Sequence, residues 1–101
     1  MKALLIRPEN QSIEPVDISC YEDIVNLIGY ETIANDEVDA DGDRLFFDEE
    51  CFLRGSEGRF QVDSLIPVSG KGVVIGSEED GSGLRDVTLS LDELTGRTRF
   101  L

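Results

Sequence analysis

The stretch Gly72-Val73-Val74-Ile75-Gly76 constrains the fold most, because five successive residues carry no polar side chain. Such a segment must be covered on both faces, and three β-branched residues in a row favour extended backbone over helix. The glycines at its ends bound it as a buried strand. Its simplest partner is Val87-Thr88-Leu89, reached across an exposed turn from Glu78 to Gly83, which predicts a hairpin.

The remaining pattern predicts further hairpins and one principal helix. Lys2 to Ile6 and Ser12 to Asp17 flank Arg7-Pro8-Glu9-Asn10 and read as an opening hairpin, with Pro15 confined to an edge strand. Ser19 and Glu22 have the spacing of a capping box, in which each side chain serves the other residue's backbone N–H. Tyr21, Ile24, Val25 and Ile28 then form one apolar stripe, and Gly29 supplies a left-handed stop. Asn35 to Asp43 has the Asx and glycine content of a turn. Arg44 to Phe47 and Cys51 to Leu53 read as a second hairpin around Asp48-Glu49-Glu50, with Phe46, Phe47 and Phe52 as its aromatic core. Phe60 to Ile66 fits either a strand or a helical turn. Ser90 and Glu93 repeat the capping-box spacing, and Gly96 limits the helix they start to about one turn.

These elements predict an α+β fold: a small antiparallel sheet built from hairpins, packed with one main helix over about residues 20–28 and a short C-terminal helical turn. Residues 1–101 read as one compact domain, without repeats or linkers.

Twenty-two acids against nine bases give a net charge of -13. That field repels DNA and anionic membrane surfaces and attracts basic proteins or cations. No window approaches the roughly 18 apolar residues of a membrane span, and Arg7-Pro8 interrupts the opening apolar run before a signal-peptide core forms. A cytoplasmic protein with reduced thiols is expected, Cys20 and Cys51 acting as small buried hydrophobes.

The chain has no histidine. This excludes Ser-His-Asp and Cys-His catalysis, and two cysteines without an imidazole cannot complete the usual zinc tetrad. A mechanism without histidine stays open in principle, through carboxylate pairs or through Cys20 at the start of the proposed helix. Ser69-Gly70-Lys71-Gly72 lacks the earlier glycine and the hydroxyl of a phosphate loop and leads into a strand, so it reads as a turn. No catalytic residue and no cofactor are expected.

Residues 31–50 carry nine acids and a single base, Arg44. Asp36, Glu37, Asp39, Asp41, Asp43, Asp48, Glu49 and Glu50 are the candidate protein-binding residues. Glu37, Asp39, Asp41, Asp43 and Asp48 also fall near the ligand positions of an EF-hand loop, with Gly42 at its turn. Arg44 and the short Asp48 depart from that pattern, so a solvated acidic turn is the ordinary reading. In an extended chain Glu37, Asp39, Asp41 and Asp43 would share one face at roughly 7 Å intervals, close to nucleic-acid phosphate spacing. A DNA-mimicking decoy is therefore one alternative, and a divalent-cation-responsive module another.

In order and kind, several segments together resemble the small bacterial and phage-encoded domains catalogued as domain of unknown function 3846. They are Lys2-Ala3-Leu4-Leu5-Ile6, Ile24-Val25-Asn26-Leu27-Ile28-Gly29 with Tyr30, Asp48-Glu49-Glu50 with Leu53 and Gly55, and Gly70-Lys71-Gly72-Val73-Val74-Ile75-Gly76. The likeness runs over nearly the whole chain. It implies a compact α+β fold and an accessory or mobile-element gene context, and it brings no catalytic residue. The expected function is that of a non-enzymatic accessory domain whose acidic region, Asp36 to Glu50, contacts a basic protein partner through steering and a small apolar patch. Assembly with further copies of the chain is left open.

Overall fold

A computed structural model describes all residues, 1–101. Lys2–Arg7 (β1) and Ser12–Asp17 (β2) form the opening hairpin, followed by the helix Tyr21–Ile28 (α1). Ile33–Glu37 (β3) and Asp43–Asp48 (β4) make the next hairpin. Arg59–Val62 (β5), Val68–Ser69 (β6) and Gly72–Gly76 (β7) precede the helix Leu91–Arg97 (α2) and the final strand Thr98–Phe100 (β8). The larger sheet is antiparallel in the order β2-β1-β7-β4-β3, and a smaller one runs β6-β5-β8. The α+β class is as the sequence predicts.

The five-residue apolar strand sits at the centre. Every residue of β7 is buried, between β1 and β4. Strand alternation sends its side chains to two cores. Val73 and Ile75 join Leu5, Phe46, Ile24 and Ile28 beneath α1, whereas Val74 joins Leu4, Leu45, Phe60, Val62 and Leu94 beneath the smaller sheet and α2. Gly72 permits the second layer's close approach, since a Cβ there would lie 2.7 Å from the Phe60 ring.

The hairpin predicted between β7 and residues 87–89 does not form. Gly76 and Arg85 exchange one pair of backbone hydrogen bonds, after which the Val87 N–H donates to the Lys2 carbonyl. With β4 along one edge of β7 and β1 along Gly72 to Val74 of the other, only Gly76 is left to bridge Arg85.

The second predicted hairpin also differs. β4 pairs with β3, so Asn35, Asp36 and Glu37 are strand and only the residues after them turn. Cys51–Leu53 is a single 3-10 turn. Asp48 accepts the Glu50 N–H and turns the chain at once, which precludes a returning strand. Phe52 consequently leaves the aromatic core and is 52% exposed, with the Arg59 guanidinium 5.3 Å from its ring centre.

The two capping-box spacings have different outcomes. Ser90 Oγ accepts the Glu93 N–H, and Glu93 accepts the Ser90 N–H, so α2 starts as predicted and extends to seven residues, past the turn expected before Gly96. For α1 the N-cap is Cys20, without a side-chain cap, and Asp23 accepts the Ser19 N–H. Gly29 closes α1 at φ 94°, as predicted. The ambiguous Phe60 segment is strand as far as Val62, then a turn that leaves Ile66 exposed. No helix is long and apolar enough to cross a membrane.

Candidate functional site

The β3–β4 hairpin and the turn after it gather all eight candidate acids and divide them into two groups. Asp39, Asp43 and Asp48 are used internally. Asp39 Oδ1 accepts the N–H groups of Asp41 at 3.0 Å and Asp43 at 3.4 Å, closing the hairpin turn while Gly42 takes a positive φ. Asp43 is fully buried. Its carboxylate accepts the Thr88 N–H and Leu89 N–H at 2.9 Å and the Thr88 hydroxyl at 2.7 Å, tying the hairpin to the segment that leads into α2.

Asp48 is 3% exposed and accepts from the Thr32 hydroxyl, the Arg54 guanidinium at 3.0 Å and the Glu50 N–H at 3.0 Å. Burial pushes its carboxyl up, but donation by Thr32, Arg54 and Glu50 outweighs this and holds it below the ordinary carboxylate value. Arg54 also lies 4.3 Å from the Tyr30 ring centre. One buried acid thus organises the start of β3 and the exit from β4.

The second group faces solvent. Glu37, Asp41, Glu49 and Glu50 are exposed, and Asp36 is half-buried on β3. Of the nearby cations, Arg54 is shared between Asp48 and Glu50, Arg44 donates to the neutral Asn35 Oδ1 across from Glu37, and the Arg85 guanidinium lies against Gly42 at the turn.

This division removes the geometry behind two expectations. Glu37, Asp39, Asp41 and Asp43 do not form a straight acidic row, because the turn bends it and Asp43 points into the protein. Nor do Glu37, Asp39, Asp41, Asp43 and Asp48 form a cage. No three Cys, Asp or Glu side chains on the molecule are grouped to hold a metal ion. The internal donors Thr88, Leu89 and Thr32 take up the oxygens that such a site would need.

Cys51 is buried as expected, but Cys20 is exposed. The N-cap position takes Cys20 out of the helix's apolar stripe. The hollows of the surface lie elsewhere. A polar one of about 420 Å³ lies among Glu9, Gly29, Tyr30, Ser56, Glu57 and Lys71. An apolar groove of similar volume runs over Lys2, Leu4, Pro15, Val16, Val87 and Leu91. Neither these nor the third, beside Asp23 and Leu27, includes Cys20 or the acids at 36–50.

Sequence reasoning missed the edge geometry of β3. Val38 N–H donates to Asp43, and Glu49 N–H donates to Thr32, so the even-numbered residues of β3 bond to β4. The odd-numbered residues face away. Ile33 N–H is satisfied by Glu31, whereas the Asn35 and Glu37 backbone groups open to solvent along the free edge of the sheet.

No family model, curated protein or solved structure matches this chain. The resemblance to domain of unknown function 3846 therefore rests on its short segments alone.

Proposed function

We propose that the chain is a non-enzymatic accessory domain that binds a basic protein through the exposed acids Asp36, Glu37, Asp41, Glu49 and Glu50. The observation that carries this reading is the division of the carboxylates. Once Asp39, Asp43 and Asp48 are satisfied internally, Asp36, Glu37, Asp41 and Glu49 make no ion pair, Glu50 shares Arg54 with Asp48, and Arg44 is the one cation on the two strands. Carboxylates held together in this way make the local potential more negative and favour encounter with a basic surface. The resemblance to domain of unknown function 3846 adds a bacterial or phage accessory setting.

The test is capture from native lysate of the source cells with the unaltered chain and with a variant carrying D36N, E37Q, D41N, E49Q and E50Q. The unaltered chain should retain specific proteins that dissociate as salt rises and that the variant fails to retain. Recovery of the same proteins by a correctly folded variant would remove the hairpin from the binding account.

A further inference from the structure

The two edges of the larger sheet are built differently. On β2, Met1 and Ile18 exchange both backbone hydrogen bonds, which fixes the alternation and turns Pro15 outward. Proline has no N–H, so the middle of that edge offers no donor to an added strand. This is a common guard against edge pairing.

The β3 edge has no such guard. It contains neither proline nor lysine, and no other element pairs with it. Asn35 and Glu37 each present an N–H and a C=O in strand register, about 7 Å apart. Acids outnumber bases along this edge: Asp36 and Glu37 lie on the strand, Asp41 beyond it and Glu49 opposite its start, while Arg44 on β4 stands across from Glu37 and donates to Asn35 Oδ1. A second copy of a chain with net charge -13 would bring the same acids against themselves.

Resting on the function proposed above, we infer that the partner contributes an extended basic segment that pairs with β3 as a sixth strand of the sheet. The Asn35 and Glu37 backbone groups supply the ladder. Lys or Arg side chains of the added strand meet Asp36, Glu37 and Asp41, which supply the selectivity. The acids therefore both repel a second copy and admit a strand of opposite charge.

The probe is an octapeptide of alternating Lys and Thr, with the alternating Glu–Thr octapeptide as control, in fluorescence-anisotropy titrations at low salt. Asn35→Pro removes one outward N–H without touching the β3–β4 ladder, and Ala34 before it is already extended. Asn35→Ala removes the side chain's contact with Arg44 and keeps the N–H. Binding of the Lys–Thr peptide should weaken about tenfold or more in Asn35→Pro, the scale of a lost ladder bond. It should stay within about twofold in Asn35→Ala.

Equal binding to Asn35→Pro, equal binding of the Glu–Thr peptide, no binding to the unaltered chain, or self-association through this edge each overturns the inference. Should Asn35→Pro fail to fold, amide hydrogen exchange on the unaltered chain decides. Asn35 and Glu37 must slow when the Lys–Thr peptide is added, and unchanged rates refute strand addition. If Asn35→Pro binds normally while the five-amide variant still loses the captured proteins, only the pairing mode falls. If the five-amide variant loses nothing, the proposed function falls.

Discussion

Replacing Asp43 with alanine removes the single acceptor shared by the Thr88 N–H, the Leu89 N–H and the Thr88 hydroxyl, at a position with no solvent exposure. The hydroxyl can rotate toward another acceptor. The two amides cannot follow it, and stranding each costs about 1–3 kcal/mol, giving a destabilisation of about 4 kcal/mol. A domain of this size has about 5–15 kcal/mol in total. At roughly 4–8 °C per kcal/mol the melting temperature should therefore fall by about 16–32 °C. Asp43→Asn keeps one carbonyl oxygen and should lose about half as much free energy. Urea unfolding followed by circular dichroism measures both, with Glu37→Ala as an exposed control expected within about 0.5 kcal/mol of the unaltered chain. If Asp43→Ala lies within about 1 kcal/mol of the unaltered chain, Asp43 does not tie the hairpin to the approach to α2.

Asp48 predicts an acid-side effect. Its folded carboxyl lies below its unfolded value of about 3.9, so its stabilisation is fully present above that pH and disappears as pH falls through the lower folded value. Urea midpoints between neutral and strongly acid pH should drop less steeply below about pH 4 in Asp48→Asn than in the unaltered chain, and parallel curves would contradict this. The caps should separate cleanly: Ser90→Ala should cost about 1 kcal/mol, whereas Ser19→Ala should cost only a few tenths because its hydroxyl caps nothing. Equal losses in thermal unfolding would contradict the cap assignments. Gly72→Ala should cost about 1–3 kcal/mol by forcing Phe60 and Leu45 aside, and an unchanged urea midpoint would show that the second layer can yield.

Local chemistry makes much of the fold legible. The β-branched run specifies a buried strand, Pro15 an edge, and the Ser90–Glu93 spacing a capped helix. Pairing between distant segments is not legible in the same way. A strand pattern specifies its own burial without naming its neighbours, so proximity in the chain points β7 to the next strand-like segment, Val87-Thr88-Leu89, although β1 and β4 flank it. The same limit governs the acids. Asp43 and Glu37 look alike in the sequence, and only the fold places the Thr88 and Leu89 amides, 45 and 46 positions away, around one and water around the other. Cys51–Leu53 misleads because three apolar residues suit a strand as well as a turn. Asp48 decides between them by capturing Glu50 and Arg54.

The central claim is that the binding face is the exposed acidic edge of the β3–β4 hairpin and not the polar hollow at Tyr30 and Lys71 or the apolar groove over Lys2 and Val87. A titration of the isotope-labelled chain with the alternating Lys–Thr octapeptide, followed residue by residue in amide correlation spectra, locates the contact directly. The account predicts that shifts concentrate at residues 33–41 and 49–50, led by Asn35 and Glu37. Shifts centred on Lys2, Pro15 and Val87 to Leu91, or around Tyr30 and Lys71, would contradict it.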